Sequence, residues 1–194
     1  HKATSQYIYE NQKIDAHKVV QEFYENNRRI VSISKKTKIG MDGLMIEISK
    51  LMSTHSDDSF MINPDNVRII TGMSNKMWET DMKNKAPSIF KDKIFHHGQL
   101  KKSNLINLKN SLILIDEIDS GNKEDQVLHQ TLRDAGILNV DNMRQNNNYI
   151  VVDSATMIRE FFDLQQWGDL HSHIKMTIPD NYLGHIDFLR KEIA

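Results

Sequence analysis

Cysteine is absent from the 194 residues, which excludes a disulfide framework and any thiolate metal site and fits a reducing compartment. Long apolar runs are missing too. None approaches the roughly 20 residues that a membrane-spanning helix needs, and no stretch resembles a secretory leader. The expectation is a soluble intracellular protein without a membrane partner, with cytoplasm, nucleus and virion all open. Charge of one sign is also lacking. A formal net charge of −1 argues against wholesale electrostatic capture of nucleic acid or anionic lipid, so a charged partner must be met by a local face. There is no internal repeat and no low-complexity linker. What is present, 39% hydrophobic and 26% charged residues, suits one α/β domain with a sizeable core.

Helical and strand patterns alternate along the chain, the sign of a mostly parallel central sheet with helices on both faces. Ile14, Ala16, Val19, Val20 and Phe23 form a helical stripe that ends near Asn26-Asn27. "RIVSIS" (29–34) reads as a strand, "KKTKIGMD" as a loop, and Leu44, Ile48, Leu51 and Met52 as the apolar face of a helix from Gly43 to about His55. A second unit follows, with a strand in "VRIITGMS" (67–74), approached in extended form through Pro64, and a helix that Pro87 closes. Ile94-Phe95 gives a short strand, Ser111 to Ile115 a long one, and "KEDQVLHQTLRDAG" a helix stopped by Gly136. "NVDNMRQNNN" reads as a polar loop, with further strands in "YIVVDSAT" from Tyr149 and "HIKMTIP" from His173.

The chemistry concentrates at "SLILIDEIDSG" (111–121), where Asp116, Glu117 and Asp119 follow an unbroken apolar strand. Such a strand is covered on both faces, and in a parallel sheet ligands lie beyond the carboxyl ends of the strands. Acids placed there suit a nucleotide site, with Asp116 on a magnesium ion and Glu117 orienting a water. The competing reading is a solvated strand end whose acids open a helix, where the dipole favours them.

The order of these segments resembles the first RecA-like domain of superfamily 2 helicases and translocases, the DEAD-like group, over nearly the whole chain. "LILIDEID" is similar to their magnesium-binding box, and "VVDSAT", with Ser154, Ala155 and Thr156, to the element that couples nucleotide to the nucleic-acid track. "IITGMS", with Thr71, Gly72 and Ser74, and "HHGQL", with His97 and Gln99, fall where loops grip a nucleic-acid backbone. Gln12 is placed like a glutamine that reads adenine. The flavour is that of a helicase-like protein of a large DNA virus or mobile element. The resemblance implies a RecA-like P-loop NTPase fold, ATP and Mg2+ as cofactors, DNA or RNA as partner, and a second RecA-like domain in cis or on another chain. Residues 1–180 are then one ATP-binding domain and 181–194 the start of a linker.

One element departs from the pattern. A phosphate loop reads G-x-x-x-x-G-K-[ST], with lysine on the outer phosphates and the hydroxyl on magnesium. Here the loop is "KKTKIGMDG": with Gly40 on the second glycine, Lys35 takes the place of the first, Met41 stands for the lysine, Asp42 for the hydroxyl, and Gly43 follows, while Lys35, Lys36 or Lys38 could reach in from the loop. An added carboxylate near Asp116 and a triphosphate is repulsive. Two classes of function therefore stand side by side. One is the motor domain of a nucleic-acid-dependent ATP hydrolase, with Glu117 catalytic and Asp116 on metal. The other is a catalytically silent helicase-like binding or interaction module. His96-His97 and "HSH" (171–173) lack acids at ligand spacing and read as surface or core residues. Trp78 and Trp167 read as core rather than base-stacking groups.

Overall fold

Apolar side chains on both faces of the central strands decide the architecture. In the computed structural model, which describes residues 2–34, 41–54, 61–71, 76–116, 123–153 and 167–176, six strands form one sheet in the order β3-β2-β4-β5-β1-β6, every neighbouring pair parallel. The strands are β1 (Ile30–Ser34), β2 (Val67–Thr71), β3 (Ile94–Phe95), β4 (Leu112–Asp116), β5 (Tyr149–Val152) and β6 (His171–Lys175). Val31, Ile33, Ile69, Leu112, Leu114 and Val151 enter one core, whereas Ile30, Ile70, Ile113, Ile115, Ile150 and Val152 enter another. A strand with apolar side chains at every position must be covered twice.

Helices supply both covers. On the first face lie α1 (Lys2–Tyr24), α2 (Met41–Ser53) and α3 (Lys76–Lys85), contributing among others Ala16, Val19, Phe23, Leu44, Met45, Ile48 and Met82. On the second lie α4 (Lys123–Asp134) and α5 (Val140–Gln145), with Leu128, Leu132, Met143 and Trp167 in the core. The result is an α/β fold with an all-parallel sheet, consistent with the RecA-like arrangement.

Several boundaries differ from the sequence expectation. α2 starts at Met41 rather than Gly43, and β6 starts at His171 rather than His173. The polar segment 139–148 is not wholly loop. Asn139 accepts a hydrogen bond from the Asn142 N–H at 2.9 Å and caps α5, whose Met143 is buried. A single buried methionine on a short polar helix leaves little periodicity to read. The His97–Ser103 stretch after β3 is a 3-10 helix rather than an open loop.

Strand order positions the chemistry. Because all strands run one way, Ser34, Thr71, Asp116, Val152 and Lys175 end on the same edge of the sheet. β5 separates β4 from β1, so Asp116 stands two strand spacings, about 10 Å, from the end of β1 that leads toward α2.

Candidate functional site

Asp116 closes β4 with only 3% of its surface exposed, and its register partner on β2 is Thr71. On the other side the Asp153 N–H donates to the Ile115 carbonyl at 3.3 Å, and Asp153 is buried in turn. Two carboxylates and a threonine backbone therefore share the carboxyl edge of three adjacent strands. Glu117, Lys38, Gly40, Gly72, Ser74, Ser154, Ala155 and Thr156 lie outside the described residues, as does 181–194, and of Thr71 only the backbone is described.

The residues at the start of α2 take definite places. Met41 is 2% exposed and belongs to the first core, packed with the side chains of α1 and the sheet. Asp42, on the first turn of α2, accepts a hydrogen bond from the Trp78 indole N–H at 3.3 Å and lies 3.7 Å from the Lys85 ammonium. Both partners belong to α3, so the carboxylate ties the two helices together. A carboxylate on a first helical turn is also favoured by the dipole. Trp78 thus packs against the first core while its N–H meets Asp42, and Trp167 is fully buried. Sequence reasoning had no signal for this tie, since Trp78 lies 36 residues from Asp42.

Gln12 and Gly43 meet directly. A Cβ on Gly43 would sit 2.3 Å from the Gln12 side-chain oxygen, so the bare backbone of α2 is what lets Gln12 of α1 lie across its first turn. The fold thereby brings Gln12, Met41, Asp42 and Gly43 together. Mg2+ with a triphosphate does not suit this group: the position expected to hold a cation is an apolar side chain in the core, and the one expected to hold a hydroxyl is a carboxylate already bonded to Trp78 and Lys85. Among the described residues no cluster of three or more histidine, aspartate or glutamate side chains is arranged to hold a metal.

The second expected loop, at His97 to Gln99, is anchored by His96, which the sequence reads as a surface or core residue and which is buried, and by Glu79, which the sequence does not single out. The buried His96 accepts the Gly98 N–H on Nδ1 at 2.9 Å, which leaves its ring proton on Nε2, 3.5 Å from a Glu79 carboxylate oxygen. The same carboxylate accepts the His96 backbone N–H at 3.0 Å and the Lys83 ammonium at 2.9 Å. Burial pushes the Glu79 carboxyl up, but these two hydrogen bonds, together with the nearby charges of Lys83 and His96, outweigh it and hold the group below its ordinary value. Gly98 is required by closeness, since a Cβ there would lie 2.6 Å from the His96 ring. His97 is half-buried, and its Nδ1 meets no hydrogen-bond partner among the described residues. The Gln99 N–H closes the turn on the His96 carbonyl at 2.9 Å.

Several lysines around α3 and β3 fall into two groups. Lys83, Lys85 and Lys93 are paired with Glu79, Asp42 and Asp92. Lys91, Lys101 and Lys102 are exposed, and none has an ion pair among the described residues. No helix among the described residues is long and apolar enough to cross a membrane. No protein-family model matches the chain, and no curated protein matches it.

Proposed function

We propose that this chain is a helicase-like nucleic-acid-binding module of the RecA-like type that has lost ATP turnover, working beside a second RecA-like domain. One observation carries the reading: Met41 is sealed in the core, and Asp42 is spent on Trp78 and Lys85. Neither side chain is available to a phosphate, and a carboxylate facing one would repel it. The second reading, an active nucleic-acid-stimulated ATPase with Glu117 catalytic and Asp116 on Mg2+, is favoured by the buried Asp116 at the strand end. Nucleotide affinity separates the two. Titration of Mg2+-ATP into the chain is expected to give no saturable binding below the millimolar range, and addition of single-stranded DNA or RNA no phosphate release. Micromolar binding that Glu117→Gln leaves intact while abolishing phosphate release would instead establish the motor.

A further inference from the structure

We propose that Ser32, His171 and His173 form a proton-operated clamp that fastens the edge strand β6 to β1 at neutral pH and releases it in mild acid. Burial secures β6 less than the inner strands. Among the described residues it pairs with β1 alone, and none of its five residues is fully enclosed. His171 and His173 alternate along it and so share one face, and Ser32 stands opposite His173 in the register of β1. The Ser32 Oγ lies 2.8 Å from His171 Nε2 and 2.7 Å from His173 Nδ1. One hydroxyl thus holds two side chains of the outer strand.

Counting protons shows why the clamp responds to pH. Ser32 is fully buried between the apolar Val31 and Ile33, and a hydroxyl there is costly unless it is bonded. It gives its one proton to one ring and accepts an N–H from the other. A first added proton goes to the other nitrogen of the donating ring and breaks neither bond. A second must go to the nitrogen that accepts from Ser32. Two N–H groups then point at one oxygen, the hydroxyl proton has lost its acceptor, and two imidazolium charges are held at a single atom.

The surroundings add to that repulsion. Arg28 acts on His171 and Lys175 on His173, both as cations. On the same face, Ile30 of β1, Val152 of β5, Trp167 and Leu170 are apolar. Glu22 of α1 accepts the Ser172 hydroxyl at 2.8 Å, on the opposite face of β6, and lies 3.9 Å from Arg28 Nε. Asp169, in the turn ahead of β6, is exposed, and its carbonyl accepts from Arg28. Burial, then the charges of His173 and Arg28, holds His171 below its ordinary value, and burial with Lys175 does the same for His173. A detached strand therefore takes up protons before an attached one. The clamp is complete above the ordinary histidine pKa of about 6.5. It is lost as pH falls below that value, by up to about tenfold per pH unit for each histidine in the attachment constant.

Amide hydrogen exchange of the chain at about pH 7.5 and about pH 5.5, corrected for intrinsic rates and read beside the imidazole resonances, tests the clamp. Protection of the β6 amides and of Met176, whose N–H donates to the Ser34 carbonyl at 3.1 Å, should fall by about tenfold or more in acid. Protection in β4 and β5 should hold, and both rings should titrate below the ordinary histidine range. His171→Gln with His173→Gln keeps donors and acceptors for Ser32 without titrating, and should remove the pH dependence. Ser32→Ala should lower β6 protection at neutral pH, whereas His17→Gln, exposed on α1, should behave as the parent. Equal β6 protection at the two pH values, equal losses in β4 and β6, or rings that titrate in the ordinary range would overturn the proposal from the parent chain alone. So would a pH dependence that survives the double glutamine substitution, or β6 protection that ignores the loss of the Ser32 hydroxyl.

Discussion

Glu79 shows how a residue invisible to motif reading can decide the shape of a candidate site. In sequence it is one acid on a polar helix, and only its spacing to Lys83 is suggestive. In the fold it holds the His96 backbone and ring and, through them, the turn that carries His97 and Gln99. Its carboxyl is held below the ordinary value, so the folded state binds fewer protons than the unfolded chain as pH falls toward that value. The stabilisation is therefore complete above the ordinary carboxylate pKa and is lost progressively below it. Glu79→Gln should cost about 1 kcal/mol at pH 7, and the gap between variant and parent should shrink as pH falls from 5 to 3. Denaturant titrations at several pH values check this. A gap that stays constant or widens in acid would show that the carboxylate charge contributes nothing. Asp42 gives the opposite lesson. Its departure from a phosphate-loop hydroxyl was legible in the sequence, but its partners Trp78 and Lys85 were not, because they come from a different helix.

At the scale of elements, the apolar runs were readable because burial on two faces leaves a run with no polar interruption, as in Leu112 to Ile115. The amino-terminal edge of the sheet was not readable. There asparagines adopt left-handed backbone: Asn27 ahead of β1, Asn104, Asn107 and Asn110 ahead of β4, and Asn147 ahead of β5. Asparagine tolerates that region better than other residues with a side chain. Some of these side chains also build the edge. Asn147 accepts from Arg29 at 2.6 Å and donates to Asn110 at 3.1 Å, while Asn148 accepts the Ser111 hydroxyl at 2.7 Å and donates to the Leu108 carbonyl at 3.0 Å. A segment that looks like solvent-loving loop thus fastens β1, β4 and β5 together. The two roles separate by substitution. Asn27 is exposed, so Asn27→Gly, which keeps the backbone, should change stability by less than about 0.5 kcal/mol, and Asn27→Ala should cost about 1 kcal/mol. Asn147→Gly also suits the backbone but discards two side-chain hydrogen bonds and should cost about 1–2 kcal/mol. Thermal melts of the three variants suffice. Equal losses for the two glycine variants would mean that the Arg29 and Asn110 bonds add no stability.

At the scale of the whole molecule, a parallel sheet collects the ends of β1, β2, β4, β5 and β6 on one edge, and the charge available beside that edge limits what it can bind. A chain of net charge −1 has no general attraction for a polyanion, and the pairing of Lys83, Lys85 and Lys93 with acids reduces the local supply further. Lys91, Lys101 and Lys102 are exposed around β3 at the margin of the sheet, and Lys175 is exposed at the end of β6. If the module binds a single strand through the three lysines around β3 together with backbone N–H groups, about three phosphates are neutralised. The logarithm of the binding constant should then fall with the logarithm of salt at a slope of about −2. Contacts of this kind read no sequence, so homopolymers of different base should bind within a few-fold of one another. Lys101→Ala with Lys102→Ala should lower the slope by between one and two units, weaken binding at low salt, and leave stability almost unchanged, because both side chains are exposed. Thr71→Ala should weaken binding without altering the slope, since a lost hydroxyl releases no counterion. Fluorescence anisotropy of a labelled strand at several salt concentrations measures each quantity. A slope that ignores the two lysines would place the strand on another face of the molecule.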